Sequence, residues 1–447
     1  MNRADRYRHD AAALAALTEP DQVHRDVYTD PEVFQLEMER LWRRAWVYVG
    51  HESQVPEPGD FRAADIAGQP VLLVRQADGS VRVLLNRCAH KGTKLVTAPQ
   101  GSTGKHFRCP YHAWLYKIDG TLAGVPLRSG YEGTRMSQAT ASGGMCRVKN
   151  VASHRGFVFA RMAETGPGFE EFFGDSLSSI DNMADRSPDG ELEVSGGCLR
   201  YEHNCNWKIF LENLNDTMHP MVVHESSAGT AKTLWKDEPA DKPKPMAIEV
   251  MLPFTENYQF SDATGVRVFA GGHSYTGTGD VTLHSRYSQV AGYEEKLVAA
   301  YGAERTQRIL GTSRHNTVYY PSLTVKGAIQ AIRVIRPIAV DKTVVESWTF
   351  RLKGAPDELL QRTMMYSRLI NSPMSVVGHD DLHCYRAIQE GLAADANPWV
   401  SLHRNFSGDE LLERDQTANG TSEIPMRNQF RAWESMMGES VLWIRPL

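Results

Sequence analysis

Two short clusters, Cys88-Ala89-His90 and Cys109-Pro110-Tyr111-His112, carry the most information in this sequence. Each cluster offers one thiolate and one imidazole, and eighteen residues separate His90 from Cys109. A Cys₂His₂ set can bind one zinc ion, or it can bind two irons that are bridged by two sulfides. In the second case the cysteines bind one iron and the histidines bind the other, which raises the reduction potential. The clusters therefore predict either a structural metal or an electron-transfer centre.

The sequence around the clusters predicts a small β domain from about residue 50 to 162. Apolar runs at 71–74 and 81–85 flank the turn sequence Ala77-Asp78-Gly79-Ser80, which is typical of a β-hairpin. The first cluster follows the second of these runs, and the second cluster precedes a candidate strand at 114–118. Both clusters are therefore expected on loops at strand ends, where two loops can close on one inorganic core.

The rest of the chain predicts a helical entry segment and a larger mixed domain. Asp30 is a good N-cap and Pro31 suits the first helical position, and apolar residues follow at helical spacing. A Gly-, Pro- and Asp-rich stretch over 163–190 is expected to connect the domains. Later patterns predict a helix over 205–225, strands at 250–252, 266–269 and 328–335, helices over 356–371 and 374–392, and surface loops over 225–247 and 393–425.

Composition excludes several classes of protein. The chain has 447 residues and a net charge of −5, which gives no reason to expect nucleic acid or an anionic membrane as a partner. No uncharged run reaches the roughly 18–20 residues of a membrane span, and the first ten residues lack an apolar signal segment. Six cysteines in so long a chain do not make a disulfide framework, so a cytoplasmic location is expected.

A second group of potential metal ligands follows in the helix predicted near residue 210. Asp216 and His219 are three residues apart and share one helix face, and His224 lies about one and a half turns further on. Two imidazoles and one carboxylate can form a facial triad that leaves open positions on non-haem Fe(II). The adjacent pair Asp380 and Asp381 is the best source of that carboxylate. Taken alone, two histidines at this spacing are more typical of an ordinary surface or core.

Together, the two clusters and the segment 206–224 (Asn-Trp-Lys, Glu-Asn, Asp-x-x-His-x₄-His) resemble the α (catalytic) subunits of Rieske non-haem iron ring-hydroxylating oxygenases. The similarity extends over roughly residues 30–445. It implies an α+β fold with an N-terminal helical segment over 1–49 and a small all-β Rieske domain over 50–165. A larger catalytic domain over 166–447 is expected to have an antiparallel sheet surrounded by helices, of the helix-grip type.

The resemblance also implies which residues bind metal. The [2Fe–2S] cluster would be held by Cys88 and Cys109 on one iron and by His90 and His112 on the other. The mononuclear Fe(II) would be held by His219, His224 and Asp381, with Asp380 as the competitor for the third position.

Further roles concern electron transfer and substrate binding. The resemblance implies that Asp216 joins His112 of one subunit to His219 of its neighbour, and that Asn213 lines the iron site. Met218 and Val377 are candidate apolar contacts for substrate. Arg333 occupies a place similar to a carboxylate-binding arginine of terephthalate dioxygenases, although an ordinary salt bridge within a strand is the alternative.

The expected function is that of a terminal oxygenase. It would use O₂ to hydroxylate an aromatic ring, by cis-dihydroxylation, with an aromatic acid of the benzoate, salicylate or terephthalate type as substrate. No G-x-G-x-x-G or P-loop pattern is found, so electrons are expected from a separate NAD(P)H reductase, with or without a ferredoxin. A small β subunit is expected in an α₃β₃ assembly, with α₃ as the alternative. The competing functions are monooxygenation or oxidative demethylation on the same scaffold, electron transfer alone, and a non-catalytic Cys₂His₂ zinc protein.

Overall fold

The computed structural model describes residues 6–134, 144–278, 281, 289–312, 314–408 and 415–438. The chain divides into two compact units, a smaller one over Trp42–Gly166 and a larger one made of Met1–Leu41 and Pro167–Leu447. The expected division put residues 1–49 in a segment of their own, whereas these contacts group residues up to Leu41 with the larger unit. The expected combination of a small β domain with a larger domain of helices around an antiparallel sheet is confirmed.

One buried carboxylate explains why the N-terminal segment belongs to the larger unit. Glu37 is fully buried, and its Oε1 accepts hydrogen bonds from Lys208 Nζ at 2.5 Å and from Trp433 Nε1 at 2.7 Å. Its Oε2 accepts from Trp207 Nε1 at 2.8 Å. A buried charge needs partners of this kind, so the segment that carries Glu37 is held to the helices that supply them.

The smaller unit consists of three antiparallel sheets. The predicted hairpin is confirmed, because Gln69–Arg75 pairs with Val81–Leu85 and Gly79 adopts a positive φ of 82° in the turn. In chain order the strands are Val47–His51, Asp60–Ile66, Gln69–Arg75, Val81–Leu85, Gln100–Ser102, His106–Arg108, Leu115–Lys117, Leu122–Gly124, Asn150–His154 and Phe157–Arg161. Short helical turns lie at Trp42–Arg44, Glu52–Gln54 and Arg128–Tyr131.

The larger unit is built on an eight-stranded antiparallel sheet. In spatial order its strands are Leu192–His203, Lys342–Leu352, Ala331–Ala339, Leu323–Lys326, Thr317–Tyr319, Ser274–Thr276, Val266–Val268 and Gln416–Ala418. A small second sheet contains Thr18–Glu19, Gln22–His24 and Trp399–Ser401. The central strands are buried almost without interruption, because helices cover the sheet.

Helices supply most of the residues around the candidate site. The helices of the larger unit that precede the first strand of the eight-stranded sheet in the chain are Arg6–His9, Ala11–Ala15, Asp26–Thr29, Pro31–Leu36, the π-helix Glu37–Leu41, Phe169–Phe173, the 3₁₀ turn Gly174–Leu177 and Ser178–Asp185. Between strands they are Trp207–Asn215, His219–Val223, Glu225–Trp235, Met246–Met251, Leu252–Thr255, Tyr258–Thr264, Ala270–Gly272, Tyr293–Tyr301, Ala303–Gly311 and Gly327–Ile329. Asp357–Asn371, Gly378–Leu392 and Ile424–Met437 follow. In the described part of the chain, no helix has the length and apolar character needed to cross a membrane.

The structure corrects four expectations about local structure. The strand predicted at 250–252 is wrong, since Met246–Met251 is a helix that packs Val250 and Met251 against Ala228 and Ala231. The loop predicted over 225–247 contains the helix Glu225–Trp235, and the loop over 393–425 contains two short strands. The single helix predicted over 205–225 is divided into separate helices.

Candidate metal centres

Two loops of the smaller unit share one backbone conformation. The carbonyl of Cys88 accepts a hydrogen bond from Gly92 N–H at 3.0 Å, and the carbonyl of Cys109 accepts one from Ala113 N–H at 3.1 Å. In both loops the N–H of the cysteine donates to the carbonyl five residues further on, at 2.8 Å. Gly92 has φ of 79° and Ala113 has φ of 56°, so both loops turn through the left-handed region at the same position. Each loop thus presents one cysteine in the same way.

Both cysteines are buried at the base of these loops. Cys88 and Cys109 are 1% and 2% exposed and lie in an apolar core cluster. The hydroxyl of Tyr116 lies 3.1 Å from Cys88 Sγ and accepts a hydrogen bond from Ala89 N–H at 3.0 Å. Burial raises the pKa of the Cys109 thiol, but N–H groups that point at its sulfur outweigh this and lower the pKa overall. The second loop therefore favours the thiolate of Cys109, which is the form that binds metal.

The two histidines lie at the open end of the same loops. The ring centroids of His90 and His112 are 4.7 Å apart, and His90 stacks on Trp114 at 4.9 Å. Nδ1 of His90 is buried and has no hydrogen-bond partner among the described residues. Desolvation, followed by positive charge at His112 and Lys91, lowers the pKa of His90. Two buried thiols and a neutral imidazole with an unused nitrogen fit an iron–sulfur cluster.

In the larger unit, a break between helices positions the second histidine pair. Trp207–Asn215 ends at Asn215, and Asp216 has an extended backbone with φ of −87° and ψ of 120°. Asp216 Oδ1 accepts hydrogen bonds from Met218 N–H at 2.6 Å and from His219 N–H at 3.4 Å. These bonds begin the short helix His219–Val223, which ends at His224. His219 is therefore the first residue of a five-residue helix, and His224 directly follows its last residue.

The helix Gly378–Leu392 brings a carboxylate to these histidines. Asp381 lies in its first turn, and its Oδ1 is 3.7 Å from His219 Nε2 and 3.6 Å from His224 Nε2. One possible ligand atom from each of the three residues lies within 4.8 Å of the others. The rings of the two histidines make an angle of 77°. Two imidazole nitrogens and one carboxylate oxygen at one point fit the donor set of a mononuclear non-haem iron.

Asp380, the residue before Asp381, contacts a different ring nitrogen of His224. Asp380 Oδ2 lies 3.3 Å from Nδ1 of His224, on the side of the ring away from Asp381. A carboxylate in this position can accept the second N–H of a metal-bound imidazole and fix the orientation of the ring. The structure thus gives the two consecutive aspartates separate contacts on one histidine.

Asn213 contacts the same group of atoms. Its amide nitrogen lies 3.1 Å from His219 Nε2 and 3.3 Å from Asp381 Oδ1. Nδ1 of His219 is buried and has no hydrogen-bond partner in the part of the chain that the structure describes. Burial lowers the pKa of His219, which favours the neutral imidazole that a metal binds. Asp216 bonds to the main chain here, and its contact with this ring nitrogen is not seen.

A cavity that opens to solvent lies beside these residues, and its empty space is about 640 Å³ when the open part is included. Arg333 and Val377 line it, whereas Met218, which the sequence suggested as a substrate contact, is not part of its lining. The remaining lining includes residues that sequence reasoning missed, chiefly Lys326, Tyr366 and Phe254. For Lys326, the available signal was a charged residue at the end of the otherwise uncharged strand sequence Leu323-Thr324-Val325. A second cavity, with about 880 Å³ of empty space including its open part, shares Arg333, Ile370 and Asp381 with the first.

The Cys₂His₂ pair of loops and the group of two histidines and one carboxylate have the donor types of the two metal centres of a Rieske oxygenase. Comparison with protein-family models supports this class. Residues 45–140 match the Rieske [2Fe-2S] domain, and residues 192–439 match the ring hydroxylating alpha subunit (catalytic domain). The chain belongs to the family of ring-hydroxylating oxygenase alpha subunits, and it carries a Rieske [2Fe–2S] cluster and a mononuclear non-haem iron as cofactors.

Several known proteins are similar along most of the chain. The toluate 1,2-dioxygenase subunit alpha of Pseudomonas putida is 30% identical over 374 residues, which are 83% of this chain and 78% of the relative. The anthranilate 1,2-dioxygenase large subunit of Acinetobacter baylyi is 30% identical over 391 residues, or 86% and 80%. The crystal structure of naphthalene 1,2-dioxygenase from Rhodococcus sp. has the same fold, with a TM-score of 0.75, 24% identity and coverage of 94% and 95%.

Proposed function

We propose that this chain is the terminal oxygenase component that dihydroxylates the ring of an aromatic carboxylic acid. In this reaction one O₂, two electrons and two protons convert the arene to a cis-dihydrodiol. The observation that carries the proposal is the cavity beside His219, His224 and Asp381, because Arg333 is one of its lining residues. The toluate and anthranilate dioxygenases named above supply a parallel, since both are named for aromatic acids.

The proposal assigns the metal ligands as follows. Asp381, rather than Asp380, joins His219 and His224 as the third iron ligand, because its oxygen lies near both Nε2 atoms. Asp380 instead orients His224. When bound, this iron supplies a redox centre with open positions for O₂ beside the substrate. The cluster ligands are assigned as Cys88, Cys109, His90 and His112.

Arg333 is proposed to bind the carboxylate of the substrate. In the described residues no carboxylate lies within ion-pair distance of its guanidinium, so the alternative of an ordinary strand salt bridge has no support. The guanidinium lies 5.9 Å from the ring centroid of Phe210, which holds it without neutralising it. Arginine binds a carboxylate through two parallel N–H groups, and this would orient the aromatic ring in the cavity.

Asp216 is proposed to connect two subunits. It lines the cavity, it is fixed by two main-chain N–H groups, and Nδ1 of His219 remains available to a carboxylate. We assign Asp216 as the link from His219 to the partner subunit's His112. This link requires a second α chain. We propose a ring of three α chains with a small β subunit in an α₃β₃ form, and a separate NAD(P)H reductase as electron donor.

The direct test is product analysis with isotopically labelled O₂, a surrogate reductase and a panel that contains benzoate, toluate, anthranilate and salicylate. We expect a cis-dihydrodiol carboxylate in which both hydroxyl oxygens come from one O₂. A product with a single labelled oxygen, or loss of an N- or O-methyl group, would favour the monooxygenase or demethylase alternative. A colourless protein that contains zinc and no acid-labile sulfide would contradict the assignment of the cluster.

The role of Asp216 has its own test. Asp216→Ala should retain the visible spectrum of the cluster and the iron content, while turnover falls by at least about 100-fold. Asp216→Asn keeps the size of the side chain and can keep its main-chain contacts, but it removes the charge that serves both the proposed link and the 3.7 Å ion pair with Arg404. Turnover that persists in Asp216→Ala would show that electrons do not depend on this residue.

A further inference from the structure

Lys326 occupies an unusual position for a lysine. It ends the strand Leu323–Lys326, is 6% exposed, and pairs in register with Ala331 of the neighbouring strand. Arg333 is two residues further along that strand. Because alternate residues of a strand share one face, and directly paired residues do too, Lys326 and Arg333 extend from the same face of the sheet. Diagonal neighbours of this kind are about 7–8 Å apart, within the reach of both side chains to a common ligand.

Both cations line the cavity beside the iron-site residues and lack a close counter-ion. Lys326 Nζ donates a hydrogen bond to the hydroxyl of Tyr366 at 3.0 Å, which is a neutral partner. Across the described ranges, neither Lys326 nor Arg333 has a carboxylate within 4 Å. Asp381 acts on Lys326 from a longer distance, but its carboxylate already contacts two histidines. A buried lysine ammonium beside a half-buried guanidinium is costly without an anion, and a bound anion would offset that cost.

We infer that Lys326 and Arg333 together hold the carboxylate of the substrate, and that Tyr366 is a positioning residue that directs the Lys326 ammonium. This inference rests on the proposed function and adds a second, specificity-determining cation to it. The ligand class is an aromatic monocarboxylate whose charged end lies against the sheet and whose ring extends toward His219 and Asp381. The pKa of Lys326 is lowered well below its usual range by burial and by Arg333, which is the expected state of a lysine whose anionic partner is not bound.

The alternative to this inference is that the substrate carboxylate binds in the second cavity rather than the first. Arg333 lines both cavities, whereas Lys326 lines only the one that contains His219 and His224. A carboxylate in the first cavity therefore needs both cations, and a carboxylate in the second cavity needs Arg333 alone. The relative effects of two substitutions thus identify the cavity that is used.

The experiment measures binding of benzoate, toluate and anthranilate to the iron-loaded holoenzyme by isothermal titration calorimetry, without O₂. Lys326→Met removes the charge with little change in volume, and Lys232→Met is the matched control on the exposed surface of Glu225–Trp235. We expect Lys326→Met to weaken binding of the acid by about tenfold or more, since a hydrogen bond to a charged group contributes about 1.5–3 kcal/mol. Lys232→Met should bind as the wild type does. Lys326→Arg, which keeps the charge, should recover part of the affinity, and Tyr366→Phe should lose less than Lys326→Met.

Measuring the oxidation of uncharged aromatic substrates distinguishes a loss of specificity for acids from a loss of folded enzyme. Benzene and toluene have no carboxylate, so Lys326→Met should lower the ratio of acid oxidation to neutral-ring oxidation relative to Lys232→Met, whereas a folding defect would lower both rates together. Loss of acid binding in Arg333→Met but not in Lys326→Met would overturn the inference and place the acid in the second cavity. Acid binding that depends on Lys326, without oxidation of the acid, would contradict the proposed function and leave the inference standing. If the wild type binds none of the three acids, the inference and the proposed substrate class are both wrong.

Discussion

The two candidate metal centres are built in opposite ways. In the smaller unit, each cysteine loop closes through hydrogen bonds between residues four or five positions apart, so the main chain itself sets the geometry. In the larger unit, Asp381 comes from a helix 157 positions after His224, and no local turn connects them. One centre depends on local backbone conformation, and the other depends on the packing of distant helices.

This difference predicts which kinds of amino-acid substitution each centre tolerates. The loops resist changes elsewhere in the fold, but they are sensitive to any residue that cannot adopt their backbone angles. The histidine and carboxylate group tolerates local backbone adjustment, but it depends on side chains that orient the ligands. Substitutions at the two centres should therefore fail in different ways, and three pairs of variants test this.

The largest effect is expected from loss of a ligand at either centre. Cys109→Ser should abolish the visible spectrum of the cluster while the iron of the larger unit stays bound. Asp381→Ala should leave the cluster spectrum unchanged but reduce bound mononuclear iron and turnover by more than about 100-fold, because loss of an orienting partner alone costs about 10–100-fold. Metal analysis and the visible spectrum of both variants check this. If Asp381→Ala also removed the cluster, the two centres would not be independent.

A smaller effect is expected at Asp380. Its contact with Nδ1 of His224 fixes the ring but does not place an oxygen at the point where the two Nε2 atoms meet. Asp380→Ala should therefore weaken iron binding by about 10–100-fold and leave activity recoverable when excess Fe(II) is added. Iron titration of Asp380→Ala and Asp381→Ala, side by side, measures the difference. Equal losses that excess iron cannot restore in either variant would contradict the separate roles of the two aspartates.

The sequence predicts the smaller unit better than the larger one for the same reason. The hairpin and the candidate strands around the clusters depend on short-range patterns, such as the turn at Gly79, and the structure confirms the hairpin. The expected helix over 205–225 fails at Asp216, because a side chain that bonds to the following N–H groups competes with helical hydrogen bonds. The apolar run at 250–252 was too short to distinguish a strand from a helix.

Within the site, spacing indicates residue types but not orientation. The pair Asp380 and Asp381 is visible in the sequence, yet only the helix Gly378–Leu392 shows that the two carboxylates contact opposite sides of His224. Lys326 escaped notice because an alternating pattern does not reveal which residue of the next strand lies beside it. That information comes from the register of Leu323–Lys326 with Ala331–Ala339.

The smallest effect is expected from substitutions that test the backbone conformation shared by the two cysteine loops. Gly92 and Ala113 occupy equivalent positions with φ of 79° and 56°, and an L-residue with a side chain is disfavoured there by about 1–2 kcal/mol. Gly92→Ala should therefore lower the urea midpoint at which the visible absorption of the cluster is lost. The new Cβ would lie 3.2 Å from Nε of Arg87, a flexible side chain that can move, so the cost comes mainly from the backbone.

Ala113→Gly is the reciprocal change and should have the opposite sign. Glycine relieves the left-handed strain but also increases the freedom of the unfolded chain by about 0.4–1 kcal/mol, so the net gain is small. The expected order of urea midpoints is Ala113→Gly at or above the wild type, followed by the wild type and then Gly92→Ala. A Gly92→Ala variant as stable as the wild type would show that the first loop does not need its left-handed residue. The match between the two loops would then have no energetic basis.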